Sequence, residues 1–120
     1  MRIHHITLVL FVFSTLCHAQ QKNGEDGYFV ALYTIGESWD TEKSPNDQTY
    51  FKEHSAHLSS LRADSIIVVG GRYSETGMLV IQAENHSEAE KLLLNDVAVK
   101  NQLFQVEIHP LRPFYRGCLE

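Results

Sequence analysis

Two apolar runs, Ile66-Ile67-Val68-Val69 and Met78-Leu79-Val80-Ile81, lie close together and are apolar on consecutive positions. Short, mostly β-branched runs of this kind read as strands buried on both faces. With the glycine-flanked connection between them, 66–83 is predicted to be a β-hairpin. Positions 28–34, YFVALYT, give a first strand of the same character, with Tyr28, Val30 and Leu32 facing one way and Phe29, Ala31 and Tyr33 the other. The last strand, 104–109, alternates strictly, with Phe104, Val106 and Ile108 on one side, as an edge strand does. Pro110 and Pro113 are expected to end it.

Helical periodicity fills the gaps. Tyr50, Phe51, His54, Leu58 and Leu61 recur at intervals of three and four, which predicts a helix over 48–62, capped by Asn46 or Asp47 and preceded by the boundary signal Pro45. His57 lies beside that stripe, at the border of core and solvent. A second helix follows Asn85-His86-Ser87, where Ser87 and Glu90 have capping-box spacing and Ala89, Leu92 and Leu93 form the apolar face. Positions 97–101 extend it by a short further turn. The order strand, helix, strand, strand, helix, strand predicts an α+β fold of the ferredoxin-like, split βαβ type, a four-stranded antiparallel sheet with two helices on one face. Its other face is apolar and uncovered, and the simplest cover is the same face of a second copy, so a homodimer is expected.

The first residues stand apart from this pattern. Arg2, His4 and His5 precede an uncharged apolar stretch and then Cys17-His18-Ala19, which reads as a secretory signal peptide over 1–19 with cleavage after Ala19, and hence a periplasmic or secreted protein. The apolar part is too short to span a bilayer. A lipoprotein anchored through Cys17 ranks second, because Leu16 is bulky where such sites take a small residue. Residues 20–27 form a polar lead-in, 28–113 a single domain and 114–120 a tail. With the signal removed Cys118 is the only cysteine, so no internal disulfide is expected, and it is either a free thiol or half of an intermolecular bridge.

Charge narrows the choice of partner. The chain carries a formal −5 with no basic cluster, which excludes an electrostatic grip on nucleic acid or anionic lipid. His54 and His57 sit one turn apart, and His86 and His109 are also available, yet no HExxH spacing or carboxylate-histidine cluster points to a metal, and no cofactor motif occurs. Trp39, the only tryptophan, is either a plug for a local gap or one wall of a ligand cleft. Arg72 and Tyr73 next to the hairpin turn are candidates for contact with an anionic ligand, or are simply solvated.

The segments His57-Leu58-Ser59-Ser60-Leu61, Val69-Gly70-Gly71, Gly77-Met78-Leu79-Val80-Ile81, and 95–110 with Asn95-Asp96, Leu103-Phe104 and His109-Pro110 together resemble the YCII-like family of the dimeric α/β barrel superfamily. The resemblance covers 28–113. It differs at two turns: Ala63-Asp64-Ser65 stands where the family has a Gly, and Val97 where it has a Pro after the Asp. It implies an active-site pair of a helix-1 His and an Asp after helix 2, carried here onto His57 and Asp96, and action on small, including aromatic, compounds. The chemistry is sound on its own terms. An imidazole titrates near neutrality, and a carboxylate on its other nitrogen fixes its tautomer and raises its basicity. No serine or cysteine nucleophile is evident, so the expected reaction is proton transfer in an elimination or isomerisation. Against it stand a non-catalytic small-molecule binding module, a dimeric assembly domain, and the plain reading of His57 as a helix-surface residue and Asp96 as a turn carboxylate.

Overall fold

The computed structural model describes residues 27–115 and 117, so the signal-peptide reading, the lead-in before Gly27 and Cys118 lie outside the described residues. The chain runs β1 (Gly27–Ile35), a 3-10 turn (Pro45–Asp47), α1 (Phe51–Ala63), β2 (Ile67–Tyr73), β3 (Thr76–Ala83), α2 (His86–Leu94), α3 (Val97–Lys100) and β4 (Phe104–Leu111). The strands form one open antiparallel sheet in the order β2-β3-β1-β4. Of the three strands expected to be buried on both faces, β1 and β3 are central, whereas β2 lies at an edge of the sheet with Val68 and residues 70–73 exposed. Among the described residues no helix is long and apolar enough to cross a membrane.

Register divides the side chains between two faces. Across β1, Phe29 pairs with Ile81 and Pro110, Ala31 with Leu79 and Ile108, and Tyr33 with Gly77 and Val106. This is the covered face, where Phe29, Ala31, Tyr33 and Ile81 meet Leu61 of α1 and Ala89 and Leu93 of α2, all buried. The opposite face carries Tyr28, Val30 and Leu32, with Met78 and Val80 of β3 and Gln105, Glu107, His109 and Leu111 of β4. Its apolar centre is half-buried. Pro113 and Tyr115 line a shallow groove over one corner of it, beside Tyr28, Val69, Val80 and Leu111. In β2 the pairing shifts between Ile67 and Val69, and Val68, caught in that irregularity, is exposed.

Local chemistry moved several boundaries. Helix α1 starts at Phe51 instead of 48, because the Gln48 side chain is occupied in the preceding loop: it accepts from Asp40 N–H at 2.9 Å and donates to the carbonyls of Asp40 and Lys43 at 2.6 and 3.1 Å. Tyr50 then turns into the left-handed region at φ 70°, which no helical residue occupies. Neither Asn46 nor Asp47 caps α1; both lie in the 3-10 turn. Helix α2 is capped by Asn85, whose side chain accepts from Glu88 N–H at 2.9 Å, so the Ser87–Glu90 spacing is not the cap. Strand β4 runs through Pro110 to Leu111, since an edge strand tolerates a residue without an N–H.

Two tight places tie the elements together. After α1, Ser65 adopts φ 59° while the Ser65 and Ile66 amides return to the carbonyls of Arg62 and Leu61 at 3.0 and 2.9 Å, a reversal for which glycine is the usual residue. After β1, the amides of Gly36 and Ser38 bond to the carbonyls of Leu103 and Gln102 at 2.8 and 3.0 Å. A Cβ on Gly36 would lie 2.0 Å from the Gln102 carbonyl oxygen, so only glycine allows this approach.

Candidate active site

The apolar stripe of α1 contains one polar member, His54, and the stripe's own geometry carries it into the interior, where it is 8% exposed. A buried imidazole needs a partner. It finds Asp96, only 1% exposed, whose Oδ2 lies 2.5 Å from His54 Nδ1. Asp96 is held from a second direction as the N-cap of α3, its Oδ1 accepting from Ala98 N–H at 2.9 Å. The carboxylate is thus fixed by a side chain 42 residues away and by its own following turn.

The sequence-derived partner of Asp96, His57, does not make this contact. Its Nε2–H donates to the Leu92 carbonyl at 2.8 Å, tying α1 to α2 one turn from the pair. Geometry therefore joins Asp96 to His54 and gives His57 a role as a helix-to-helix strut. The difference follows from position. His54 is within the stripe that faces the sheet, whereas His57 lies at its border and can reach a helix carbonyl.

Charge states follow from this arrangement. Burial alone would push the Asp96 carboxyl up, but the hydrogen bonds from His54 and Ala98 N–H, with the nearby imidazoles of His54 and His57, outweigh it and hold the group below the usual carboxylate value. An ionised Asp96 only accepts, so His54 Nδ1 carries the proton and donates. In this tautomer the lone pair is left on Nε2. Fixing the tautomer in this way prepares an imidazole to accept a proton at Nε2.

His54 lines a cavity of about 360 Å³ between the start of α1, the β2–β3 hairpin and the β4 end of the sheet. Phe104 is its hub, with ring centroids 4.6 Å from His54, 5.7 Å from Trp39, 6.3 Å from Phe51 and 6.4 Å from Tyr33. Trp39 is thus a wall of this cleft. Leu58 and Leu79 add aliphatic surface, and Arg72 and Glu75 stand at the hairpin side. The Tyr33 ring lies edge-on to His54 at 5.6 Å, and its hydroxyl is buried with no partner among the described residues. Burial, with the Asp96 carboxylate nearby, pushes the Tyr33 phenol up, so it stays protonated.

Sequence reasoning had read Tyr33, Phe51 and Phe104 only as core and strand residues. Their positions on the covered face were legible, but their convergence on one imidazole depends on the β1–β4 register, which no local pattern reveals. The remaining histidines diverge: His86 Nε2 lies 3.3 Å from the Ile108 carbonyl and His109 Nε2 lies 3.3 Å from Glu107. Among the described residues, no three His, Cys, Asp or Glu side chains gather as metal ligands.

Two measurements probe this geometry. Tyr33→Phe removes a buried hydroxyl that has no partner and is expected to stabilise the fold by about 1 kcal/mol, seen as a rise in Tm of roughly 4–8 °C; a fall in Tm would show that the hydroxyl is satisfied. For Asp96, whose pKa is lowered on folding, the stabilisation is present above the unfolded carboxylate value of about 4 and is lost as pH falls through the folded value. Asp96→Asn should therefore lower Tm at neutral pH and flatten its decline in acid, and an acid decline parallel to that of the wild type would reject the assignment.

No family model, curated protein or solved structure matches this chain, and its chemistry is read from the geometry above.

Proposed function

We propose that this chain is an exported, YCII-like α+β domain of ferredoxin-like order that works as a dimeric α/β barrel and transfers protons on a small molecule, with His54 as the base and Asp96 as its orienting partner. The observation that carries the reading is the Asp96 Oδ2···His54 Nδ1 contact of 2.5 Å behind an imidazole that lines an aromatic cavity. The family pair is thereby assigned to His54 and Asp96 in place of His57 and Asp96. Ser65, at φ 59°, occupies the turn where the family has a Gly, and Asp96 is constrained by its cap to Ala98 and its bond to His54 even with Val97 in place of the family's Pro.

In the proposed reaction, Nε2 takes a proton from a carbon made acidic by a neighbouring carbonyl or ring. Asp96 stabilises the imidazolium that forms, with its negative charge held 2.5 Å from Nδ1. In an elimination a leaving group departs with its electron pair and the proton goes to solvent; in an isomerisation the same nitrogen returns the proton at a second carbon. General acid-base catalysis of this kind supplies about 10²–10⁴-fold in rate.

The dimer reading is supported by the open sheet face, where Tyr28, Val30, Leu32, Met78, Val80 and Leu111 form a half-buried apolar centre rimmed by Gln105, Glu107 and His109. A contiguous apolar patch rimmed by polar residues is the kind of surface that marks an interface.

The catalytic reading is tested by proton-deuterium exchange of single-ring enolisable ketones and halogenated phenols in heavy water, followed by proton NMR. Exchange by the wild type should fall about 10²-fold or more in His54→Gln and persist in His57→Gln. The reverse ranking would overturn the assignment, and saturable binding without exchange would favour a binding module. For the dimer, light scattering should give twice the chain mass for the wild type at micromolar concentration and a monomer for Val30→Asp; a monomeric wild type would reject it.

A further inference from the structure

We propose that the cavity takes a single planar ring bearing an anionic substituent, with Arg72 as the residue that selects the charge. The inference rests on the reading of the cavity as a substrate site and names the class of molecule it admits. Shape comes first. Tyr33, Trp39, Phe51 and Phe104 surround the space, with Phe104 in contact distance of the other three rings and of His54, and no other lining side chain is as large. Flat aromatic walls pack best against a flat ligand through offset or edge-on contacts. The volume, about 360 Å³, lies at the lower end of the range for small-molecule sites, which favours one ring over a fused system.

Charge comes second. Apart from the imidazole of His54, Arg72 is the one basic side chain in the lining, while its neighbour Tyr73 points its 53% exposed surface elsewhere and is not part of the cavity wall. The two sequence candidates for an anion contact are thereby separated. Arg72 is loosely held: Nε donates to the Ser74 carbonyl and Nη2 to Glu75 Oε2, both at 3.3 Å, and the two side chains are 68% and 92% exposed. An exposed, long pair of this kind contributes little and is readily exchanged for a better partner. A carboxylate on the ligand offers one, because two parallel N–H···O bonds match the planar guanidinium. The chain as a whole is negative at −5, so its general field repels anions and a local cation is needed to admit one.

The ring and the charge act at opposite ends of one cleft. With the ring against Phe104 and the carboxylate toward the hairpin, the ligand's reacting edge lies on the His54 side. Arg72 is then a specificity residue that fixes which way the ring enters.

Trp39, the only tryptophan and a ring neighbour of Phe104 at 5.7 Å, is a built-in reporter. Its fluorescence should be quenched saturably by benzoate, about tenfold more tightly than by benzamide, which lacks the charge, or by hexanoate, which lacks the ring. Arg72→Met should remove that advantage for benzoate and leave benzamide unchanged, whereas Glu75→Gln, which frees the guanidinium, should tighten benzoate. Circular dichroism of both variants checks that these exposed substitutions leave the fold intact. Equal affinities for benzoate and benzamide, an Arg72→Met variant that behaves as wild type, hexanoate binding as well as benzoate, or no saturable quenching by any of the three at millimolar concentration would each overturn the proposal. His54→Gln separates the two readings. If benzoate binds through Arg72 while exchange is absent from the wild type, the catalytic reading falls and the ligand class stands; if exchange is lost only in His54→Gln and benzoate never binds, the ligand class falls alone.

Discussion

The rest of the structure depends on one buried charge. Asp96 is 1% exposed and ionised, and an ion taken out of water in this way is tolerated only when its lone pairs are met. Two donors meet them, His54 Nδ1–H from α1 and Ala98 N–H from the turn that opens α3. Each places a demand on the chain: α1 must present His54 on its inner stripe, and the 95–98 segment must turn sharply enough to bring its own amide back. The pair is a device for specifying where α1 and α3 sit relative to each other more than a source of net stability.

That placement sets the chemistry. Asp96 occupies Nδ1 of an imidazole that lines the cavity, with the Phe104 ring 4.6 Å away. The hydroxyl of Tyr33 adds an unpaired dipole beside the same carboxylate. An unsatisfied polar group next to a buried ion costs the fold stability.

Much of this was legible in the chain. The strict alternation of β4 announced an edge and the consecutive apolar positions of β1 and β3 fit central strands, but the same pattern in β2 belongs to an edge strand. The helix start was not legible, because Gln48 looks like a helix former until its amide is seen tying Asp40 to Lys43. That Asp96 meets His54 and not His57 has a related reason. Placing His54 in the apolar stripe already implied burial, and a buried imidazole demands a partner more urgently than one at the border; His57, with a helix carbonyl in reach, had no such need. Applying that rule to the stripe would have selected His54 from sequence alone. The aromatic convergence on Phe104 could not have been found in this way, since it arises from the pairing of Ile35 with Phe104 and Tyr33 with Val106, residues far apart in the chain.

The clasp at Gly36 bears on how anything enters the cleft. With Gly36 and Ser38 bonded to the backbone at 102–103, the loop that carries Trp39 and the strand that carries Phe104 are joined as one rigid wall. The opposite side is less constrained: the short Ser74-Glu75 turn of the hairpin is exposed and Gly71 has open space around it. The cleft therefore has one side tied together by backbone bonds and one side formed by an exposed turn.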